Sequence, residues 1–377
     1  MEQSRNTYVP ELDGLRCFAV LSVILFHLEI PGLSVGWLGV NLFFVLSGYL
    51  ITSILLSERD LQPGVIPFIG RFYARRCLRI FPLYYGYLIL NYLLLQILSH
   101  LHPAEHFEAS GYGWYLTYTQ NFLLGITSFK NLPGFLGHTW TLAIEEQFYL
   151  VWPLLVYRLS TKTLAIVSFI VVIAGPIFRH YIFAATGNPY LIFAATPGSM
   201  DQLAFGCLCA LYASQISKIS KFALGFSVCV TVMAFATLVW VIGSNAFWHP
   251  EDWGSHPLQM FIFSTTGLMF SAVVVSATRF RWSTILRSRL AVHLGRISYG
   301  MYMWHGLAIV VAARLARTMG PDALNFLRVV LTLVITYLVS WASFRFFESP
   351  FLALKERFYS SETQSRAAKV SSDVATR

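Results

Sequence analysis

Charged residues are scarce in this chain. Only 12% of its 377 residues are Asp, Glu, Lys or Arg, whereas 56% are hydrophobic. A water-soluble globular protein of this length carries a charged fraction of about 25%, because its surface must be polar. The composition therefore excludes a soluble globular protein and predicts an integral membrane protein with several spans.

The sequence also lacks paired cysteines and an N-terminal signal peptide. Its five cysteines lie in apolar runs or at their edges, and no two are spaced as Cys-x-x-Cys. Neither a disulfide framework nor a zinc site is predicted, and no metal is expected. The first apolar run follows a polar segment with Glu2, Arg5 and Glu11, without a small-residue cleavage site. We expect that run to be a retained helix.

Ten apolar runs have the length of a membrane-spanning helix. They are residues 12–30, 36–57, 78–98, 138–157, 163–179, 196–214, 222–243, 258–278, 293–313 and 324–347. We therefore expect an all-α, polytopic membrane protein of about ten transmembrane helices. Residues 1–354 are predicted to form one domain, and the polar residues 355–377 a disordered cytoplasmic tail.

The basic residues predict the orientation of the chain. An even number of spans places both termini on one side of the membrane. Of the 27 Lys and Arg residues, all but five then fall on the side of the termini, the exceptions being Lys130, Arg179, Arg314, Arg317 and Arg328. By the positive-inside rule both termini are predicted to be cytoplasmic. This asymmetry also accounts for the net charge of +9 without a nucleic-acid partner.

The connections on the opposite side are longer. The connection Ser99–Gly137 contains a semi-apolar segment, Tyr112–Ile126, which is too short and too polar to span and is predicted to be interfacial or re-entrant. Another connection clusters aromatic residues, histidines and carboxylates between Trp248 and His256. This cluster suits a sugar, but it is equally typical of an aromatic belt at the membrane interface.

His27 lies deep in the first run. It lies eleven positions after Arg16. That interval corresponds to about 16 Å of helix and returns both side chains to nearly the same face. His27 is thus expected near the middle of the hydrocarbon layer, where an ionisable residue is a candidate functional residue. The alternative is a neutral histidine bonded to a neighbouring helix.

Other polar residues are predicted at a similar depth in three further runs. They are Ser47 in the second run, Glu145 with Thr141 and Tyr149 one turn to either side in the fourth, and Tyr302 and His305 in the ninth. This coincidence predicts one shared polar cavity. A carboxylate beside an imidazole can orient it as a general base for a hydroxyl. Glu145 is the candidate for this role, with Glu146 as the alternative.

Three arginines are predicted below this cavity. Arg76 and Arg79 share a face where the third run enters the membrane, and Arg16 joins them from the first. Guanidinium groups suit phosphate oxygens, so these residues could bind the nucleotide end of a cofactor. Anchoring to lipid headgroups is the alternative.

Five segments together resemble the family 3 membrane acyltransferases. They are Asp13-Gly14-Leu15-Arg16 with ten residues between Arg16 and His27, Phe43-Phe44-x-x-Ser47-Gly48, Arg76-x-x-Arg79, Thr141-x-x-x-Glu145 before Gln147-Phe148-Tyr149, and the run from Tyr299 to His305. The ending Glu348-Ser349-Pro350-Phe351 is similar to the last helix of the family. The resemblance thus covers essentially the whole chain.

The resemblance implies an activity and assigns residues to it. Members of this family move acyl groups, usually acetyl, from cytoplasmic acyl-CoA to glycans or other acceptors outside the membrane. It implies that His27 is the catalytic histidine, that Arg16, Arg76 and Arg79 bind acyl-CoA, and that Glu145 supports catalysis. Supporting roles are assigned to the other motif residues, namely Asp13, Ser47, Thr141, Tyr149, Tyr302 and His305.

The chain departs from the family pattern at several positions. Asn41 stands where many members have Asp, and Thr141 where Ser is usual. Asp201 lacks the arginine often found two residues earlier, because Ser199 is there. We therefore assign no role to Asn41 or Asp201. No hydrolase-like domain follows the last predicted helix, so the chain is expected to act alone or with a separate partner.

We predict a membrane O-acyltransferase of the bacterial plasma membrane. It would move acetyl from acetyl-CoA at the cytoplasmic face to a glycan or glycolipid hydroxyl outside, with His27 as either general base or acyl carrier. A macrolide, a lipid-linked oligosaccharide or a lipo-oligosaccharide is the alternative acceptor. The rival class is a proton-coupled transporter or lipid translocator, which an internal repeat would favour, and none is evident. The expected partners are acyl-CoA, the acceptor and membrane lipids.

Overall fold

The computed structural model describes residues 8–30, 33–61, 64–101, 111–130, 132–242, 257–280, 284–317 and 324–354. Within these ranges the regular structure is helical and contains no strand, as the all-α prediction requires. The cluster between Trp248 and His256 and the predicted tail at residues 355–377 lie outside the described residues.

The α-helices are numbered in chain order. They are α1 (Pro10–His27), α2 (Leu38–Arg59), α3 (Val65–Leu101), α4 (Tyr112–Leu116), α5 (Gln120–Ile126), α6 (Trp140–Arg158), α7 (Thr161–Thr186), α8 (Pro189–Ala194), α9 (Thr196–Leu211), α10 (Ala213–Ile216), α11 (Lys221–Ile242), α12 (Ile262–Phe280), α13 (Arg289–Arg296), α14 (Ser298–Arg317) and α15 (Leu324–Ala342). A π-helical turn, Ser343–Glu348, continues α15.

Each of the ten predicted runs falls on a helix, but the helices are not equally apolar. Six are long and apolar enough to cross a membrane by length and composition, namely Ser34–Arg59, Val65–Leu101, Thr161–Thr186, Lys221–Val241, Leu258–Arg279 and Phe326–Leu354. The other four predicted runs correspond to α1, α6, α9 and α14, which are shorter or carry more polar residues. The count of ten spans and the side of the termini remain predictions.

The six apolar helices differ in burial. Only 11% of Lys221–Val241 and 17% of Phe326–Leu354 are buried inside the protein, compared with 61% of Leu258–Arg279. Because exposed apolar side chains are stable in hydrocarbon, α11 and α15 are placed to face lipid. Among the helices with more polar residues, α9 has most of its side chains buried.

The backbones of α2 and α9 approach closely through two glycines. A Cβ atom at Gly48 would lie 2.0 Å from the carbonyl oxygen of Leu203, and one at Gly206 would lie 2.1 Å from that of Val45. Small residues allow such approaches between helices in membranes, where dispersion contacts and hydrogen bonds drive association. This contact fixes α2, which carries Ser47, against the centre of the bundle.

Asp201 obtains a guanidinium partner from a different helix. Arg179 of α7 donates to the Asp201 carboxylate at 2.9 Å, and both side chains are fully buried. Arg179 also donates to the carbonyl oxygens of Gly198 at 2.6 Å and Met260 at 2.7 Å. Arg179, counted above as one of five outer basic residues, is therefore an internal residue that joins α7, α9 and the start of α12.

The segment Tyr112–Ile126 forms two short helices, α4 and α5, packed into the protein. Gln120 and Asn121 are fully buried. The Gln120 amide donates to the carbonyl of Thr139 at 3.0 Å, and the Asn121 amide to that of Ala194 at 2.9 Å. These bonds tie the segment to the start of α6 and the end of α8. Its position relative to the membrane remains a prediction.

Candidate active site

The first of two cavities in the bundle contains the predicted arginines, and we call it the arginine cavity. It lies between α1, α2, α3, α6 and α14, and its empty space, including the part open to solvent, is about 770 Å³. Its polar lining residues are Arg16, Ser47, Arg76, Arg79, Thr141, Glu145, Tyr149, Ser298, Tyr299 and Tyr302. Nine of these ten lie in segments that the sequence analysis selected by motif or depth, and Ser298 directly precedes the last of them.

Three guanidinium groups face this cavity together. The positive charges of Arg16, Arg76 and Arg79 act on one another, and the Nε atom of Arg16 is buried without a hydrogen-bond partner. The Arg76 guanidinium lies 4.7 Å from the centre of the Tyr149 ring. Glu145 is the one carboxylate among the lining residues, so positive charge is in excess there. The arrangement favours an anion with several oxygen acceptors, such as a phosphate.

Glu145 is held on the side of the arginines. Its carboxylate interacts with the charges of Arg76 and Arg16 and with the hydroxyl groups of Ser47 and Tyr149. Ser47 and Tyr149 are also hydrogen-bonded to each other. The predicted juxtaposition of Ser47, Glu145 and Tyr149 is therefore present. Glu146, the alternative candidate, lines neither cavity.

Asp13 lies at the start of α1, beyond the arginine cavity. Its carboxylate accepts a hydrogen bond of 2.6 Å from the hydroxyl of Tyr8 and lies 3.9 Å from the Nε atom of Arg296. Partial burial and this hydrogen bond raise the pKa of Tyr8, which precedes the helix. Asp13 also acts electrostatically on Arg16. It thus fixes the end of the helix that carries Arg16.

The second cavity contains His27, and we call it the histidine cavity. Its empty space, including the part open to solvent, is about 930 Å³. Apart from Tyr and Trp, its polar lining residues are His27, Asn41 and His138. Seven aromatic side chains other than Tyr302 surround them, namely Phe26, Trp37, Phe129, Trp140, Tyr190, Phe193 and Phe263. Aromatic faces with a few polar groups are typical of small-molecule and sugar sites.

The ring of His27 is exposed in this cavity, and its hydrogen bonding leaves one nitrogen available. Nδ1 lies 2.9 Å from the carbonyl oxygen of Val23. Because a carbonyl only accepts hydrogen bonds, a neutral ring carries its proton on Nδ1. The Nε2 lone pair is then available to accept a proton from a hydroxyl or to attack a carbonyl carbon.

Two further imidazoles lie beside His27. The centre of the His305 ring is 5.0 Å from that of His27 and 4.6 Å from that of His138. His305 is fully buried, and its Nδ1 lies 2.6 Å from the carbonyl oxygen of Tyr302. His138 was not selected from the sequence. Its position one turn before Thr141, at the start of a polar run, was the available signal.

The structure separates the two residues that the sequence analysis paired. Glu145 lines the arginine cavity and His27 the histidine cavity, and no described contact joins them. The structure therefore does not place Glu145 beside His27 in one cavity, as the sequence analysis expected. Counting residues along a helix gives the depth of a side chain in the membrane. It does not give the direction in which that side chain points within the bundle, and therefore not which cavity it lines. The catalytic role of each residue remains a prediction.

Tyr302 lies between the two cavities and lines both. Its hydroxyl donates to the carbonyl oxygen of His138 at 2.6 Å and lies 2.6 Å from the Thr141 hydroxyl. Of the predicted supporting residues, Tyr302 thus joins the two cavities, Thr141 lines only the arginine cavity, and His305 lines neither. Within the part of the chain that the structure describes, no group of three or more His, Cys, Asp or Glu side chains is placed to hold a metal ion.

Comparison with known proteins gives one family. The family model described as an acyltransferase domain matches residues 9–345. The peptidoglycan O-acetyltransferase OatA of Listeria monocytogenes is 28% identical over 369 residues, which cover 91% of this chain and 56% of OatA. The O-acetyltransferase OatA of Staphylococcus aureus is 30% identical over 366 residues, which cover 91% of this chain and 57% of that protein. The chain thus spans about half the length of the curated relatives it matches, and no solved structure matches it significantly.

Proposed function

Since this chain belongs to the acyltransferase-domain family, we propose that it is a membrane O-acetyltransferase that takes acetyl from acetyl-CoA and transfers it to a glycan hydroxyl. The donor binds from the cytoplasm and the acceptor from outside a bacterial plasma membrane. In this proposal ten helices cross the bilayer and both termini are cytoplasmic. The relatives are named as O-acetyltransferases, one of them of peptidoglycan, which favours a glycan over the other acceptors.

One observation carries the proposal: a cavity with an excess of guanidinium groups adjoins a cavity with an exposed imidazole. The phosphates of acetyl-CoA suit Arg16, Arg76 and Arg79, whose charges repel one another until an anion binds. The unpartnered Nε of Arg16 is a donor ready for such a ligand. Glu145 then acts as a counter-charge that positions Arg16 and Arg76, instead of orienting His27.

The histidine cavity supplies the acceptor site and the base. Its aromatic rings can pack against the apolar faces of a sugar. The acceptor oxygen attacks the thioester carbonyl carbon while its proton moves to Nε2 of His27. The carbon–sulfur bond then breaks, and the leaving thiolate takes that proton from His27. An ester and free CoA result, and the imidazole returns to its neutral form.

Transfer across a bilayer tests the proposal directly. Purified protein is reconstituted in liposomes with radiolabelled acetyl-CoA enclosed and peptidoglycan fragments outside. We expect labelled glycan in this arrangement. We expect none when acetyl-CoA and the peptidoglycan fragments are both added outside the liposomes and neither is enclosed. His27→Ala liposomes are the control for the chemistry. Product that appears only with donor and acceptor on the same side would contradict the proposed sidedness.

Incubation without acceptor tests the role of His27. A general base leaves the label on acetyl-CoA, whereas an acyl carrier moves it onto the protein. We expect no protein-bound label after rapid acid quenching. Label on the wild-type protein that is absent from His27→Ala would show an acyl carrier instead.

A further inference from the structure

Two side chains, Val40 and Tyr302, line both cavities. No other described residue belongs to both linings. The Phe43 ring, which lines the arginine cavity, lies beside this boundary, with its centre 6.2 Å from that of the Tyr302 ring. Side chains of the two cavities also meet across this boundary, because the centre of the Phe44 ring in the arginine cavity lies 6.3 Å from that of the Trp140 ring in the histidine cavity. The boundary is therefore about one side chain thick.

The two residues at this boundary differ in how firmly they are held. The Tyr302 hydroxyl is fixed between the carbonyl of His138 and the hydroxyl of Thr141, each at 2.6 Å, and its side chain is buried. Val40 is an aliphatic side chain, partly buried on α2, that can make no hydrogen bond. Tyr302 thus forms a fixed edge of the boundary, and the size of residue 40 sets how wide an opening beside it can be.

We propose that Val40 and Tyr302 form the crossing through which the acyl end of the donor reaches His27, and that Val40 limits the width of the acyl group. This inference rests on the proposed function. If the arginines hold the phosphates in one cavity and the reacting imidazole lies in the other, the thioester must cross the boundary with the acyl group leading. A crossing of limited width selects short, unbranched acyl thioesters as donors.

Width, not length, is the property that such a crossing selects. An unbranched acyl chain has the same cross-section as the pantetheine arm that follows it, so acetyl and propionyl pass equally. A methyl branch at the α carbon makes isobutyryl wider at the point that must pass Tyr302. A misfit of one methyl group in an apolar site changes kcat/KM by about 10-fold to 200-fold.

The test compares acetyl-CoA, propionyl-CoA and isobutyryl-CoA with one glycan acceptor in the purified protein. For Val40→Ala we expect the isobutyryl-to-acetyl ratio of kcat/KM to rise by about 10-fold or more, with the propionyl-to-acetyl ratio unchanged. Val45→Ala is the matched control, because Val45 lies on the same helix, is fully buried and lines neither cavity. It should keep the wild-type ratio.

A second variant closes the crossing. Val40→Phe should retain the wild-type Kd for acetyl-CoA, because the arginines are untouched, and lose about 100-fold in transfer. An isobutyryl-to-acetyl ratio that is the same in wild type, Val40→Ala and Val45→Ala would overturn the crossing, as would normal transfer by Val40→Phe. The proposed function fails separately, if the wild-type protein transfers no acetyl group at all.

Discussion

Helices α1, α6 and α14, which contribute to the cavity linings, differ in composition from α11, which lines neither cavity. α1, α6 and α14 contribute His27, Glu145 and Tyr302 to the interior. By contrast, α11 is almost entirely apolar and exposed. Apolar side chains suit lipid, whereas polar side chains at this depth are stable only beside other protein groups or a water-filled cavity. The difference indicates that the exposed helix α11 suits contact with lipid, whereas the interior holds the candidate site residues.

The largest expected effect comes from removing a charge from the buried interior, and it is a loss of stability. Arg179→Ala leaves the Asp201 carboxylate buried without its guanidinium partner. Removing one partner of a buried ion pair costs about 3–5 kcal/mol of the free energy of unfolding. Unfolding by dodecyl sulfate in mixed micelles, followed by circular dichroism, measures this loss. A variant as stable as the wild type would show that the pair does not hold α7 to α9.

A charge placed on the exposed surface of α11 should have a slightly smaller energetic effect. Met233 lies midway along α11 and is 64% exposed. Met233→Asp should raise the free energy of membrane insertion by about 2.5–3.5 kcal/mol, because an aspartate there faces hydrocarbon. An insertion assay on α11 with flanking glycosylation sites measures it, with Val232→Ala as the neutral control. Equal insertion of the Met233→Asp variant would place α11 inside the protein.

Arg76→Ala should weaken the binding of acetyl-CoA more than it changes the KM for the glycan acceptor. Loss of one charged hydrogen bond to phosphate lowers affinity by about 1.5–3 kcal/mol, or about 10-fold to 100-fold. Equilibrium dialysis with radiolabelled acetyl-CoA gives the Kd, and acceptor titration gives the KM for glycan. Arg71→Ala is the matched control, since Arg71 lies on the same helix and lines neither cavity. Equal losses in both variants would indicate a general effect of positive charge at the membrane surface.

Much of the fold and part of the site follow from the sequence. Each of the ten apolar runs coincides with a helix, because hydrocarbon requires a minimum apolar length. Depth counting brought Ser47, Glu145 and Tyr149 together correctly, since Glu145 and Tyr149 are one turn apart and Ser47 lies at their level. Periodicity within a helix and depth across the membrane are both local properties that the sequence contains.

What the sequence could not supply was the arrangement of helices around the bundle axis. The sequence analysis paired Glu145 with His27, whereas the two helices present these groups to different cavities. Asp201 finds Arg179 from another helix, and His138 meets His305 across a contact between α14 and the start of α6. Each of these contacts depends on helix packing, which residue spacing along one helix does not determine.

In the proposed function the arginine cavity binds acetyl-CoA and the histidine cavity carries out transfer. This separation is tested most directly by measuring acetyl-CoA binding and acetyl transfer in the same variant. His27→Ala should bind radiolabelled acetyl-CoA with the wild-type Kd and lose at least about 100-fold in transfer to glycan, because only the proton acceptor is removed. A large loss of acetyl-CoA affinity in His27→Ala, or transfer at the wild-type rate, would contradict the separation of donor binding from catalysis.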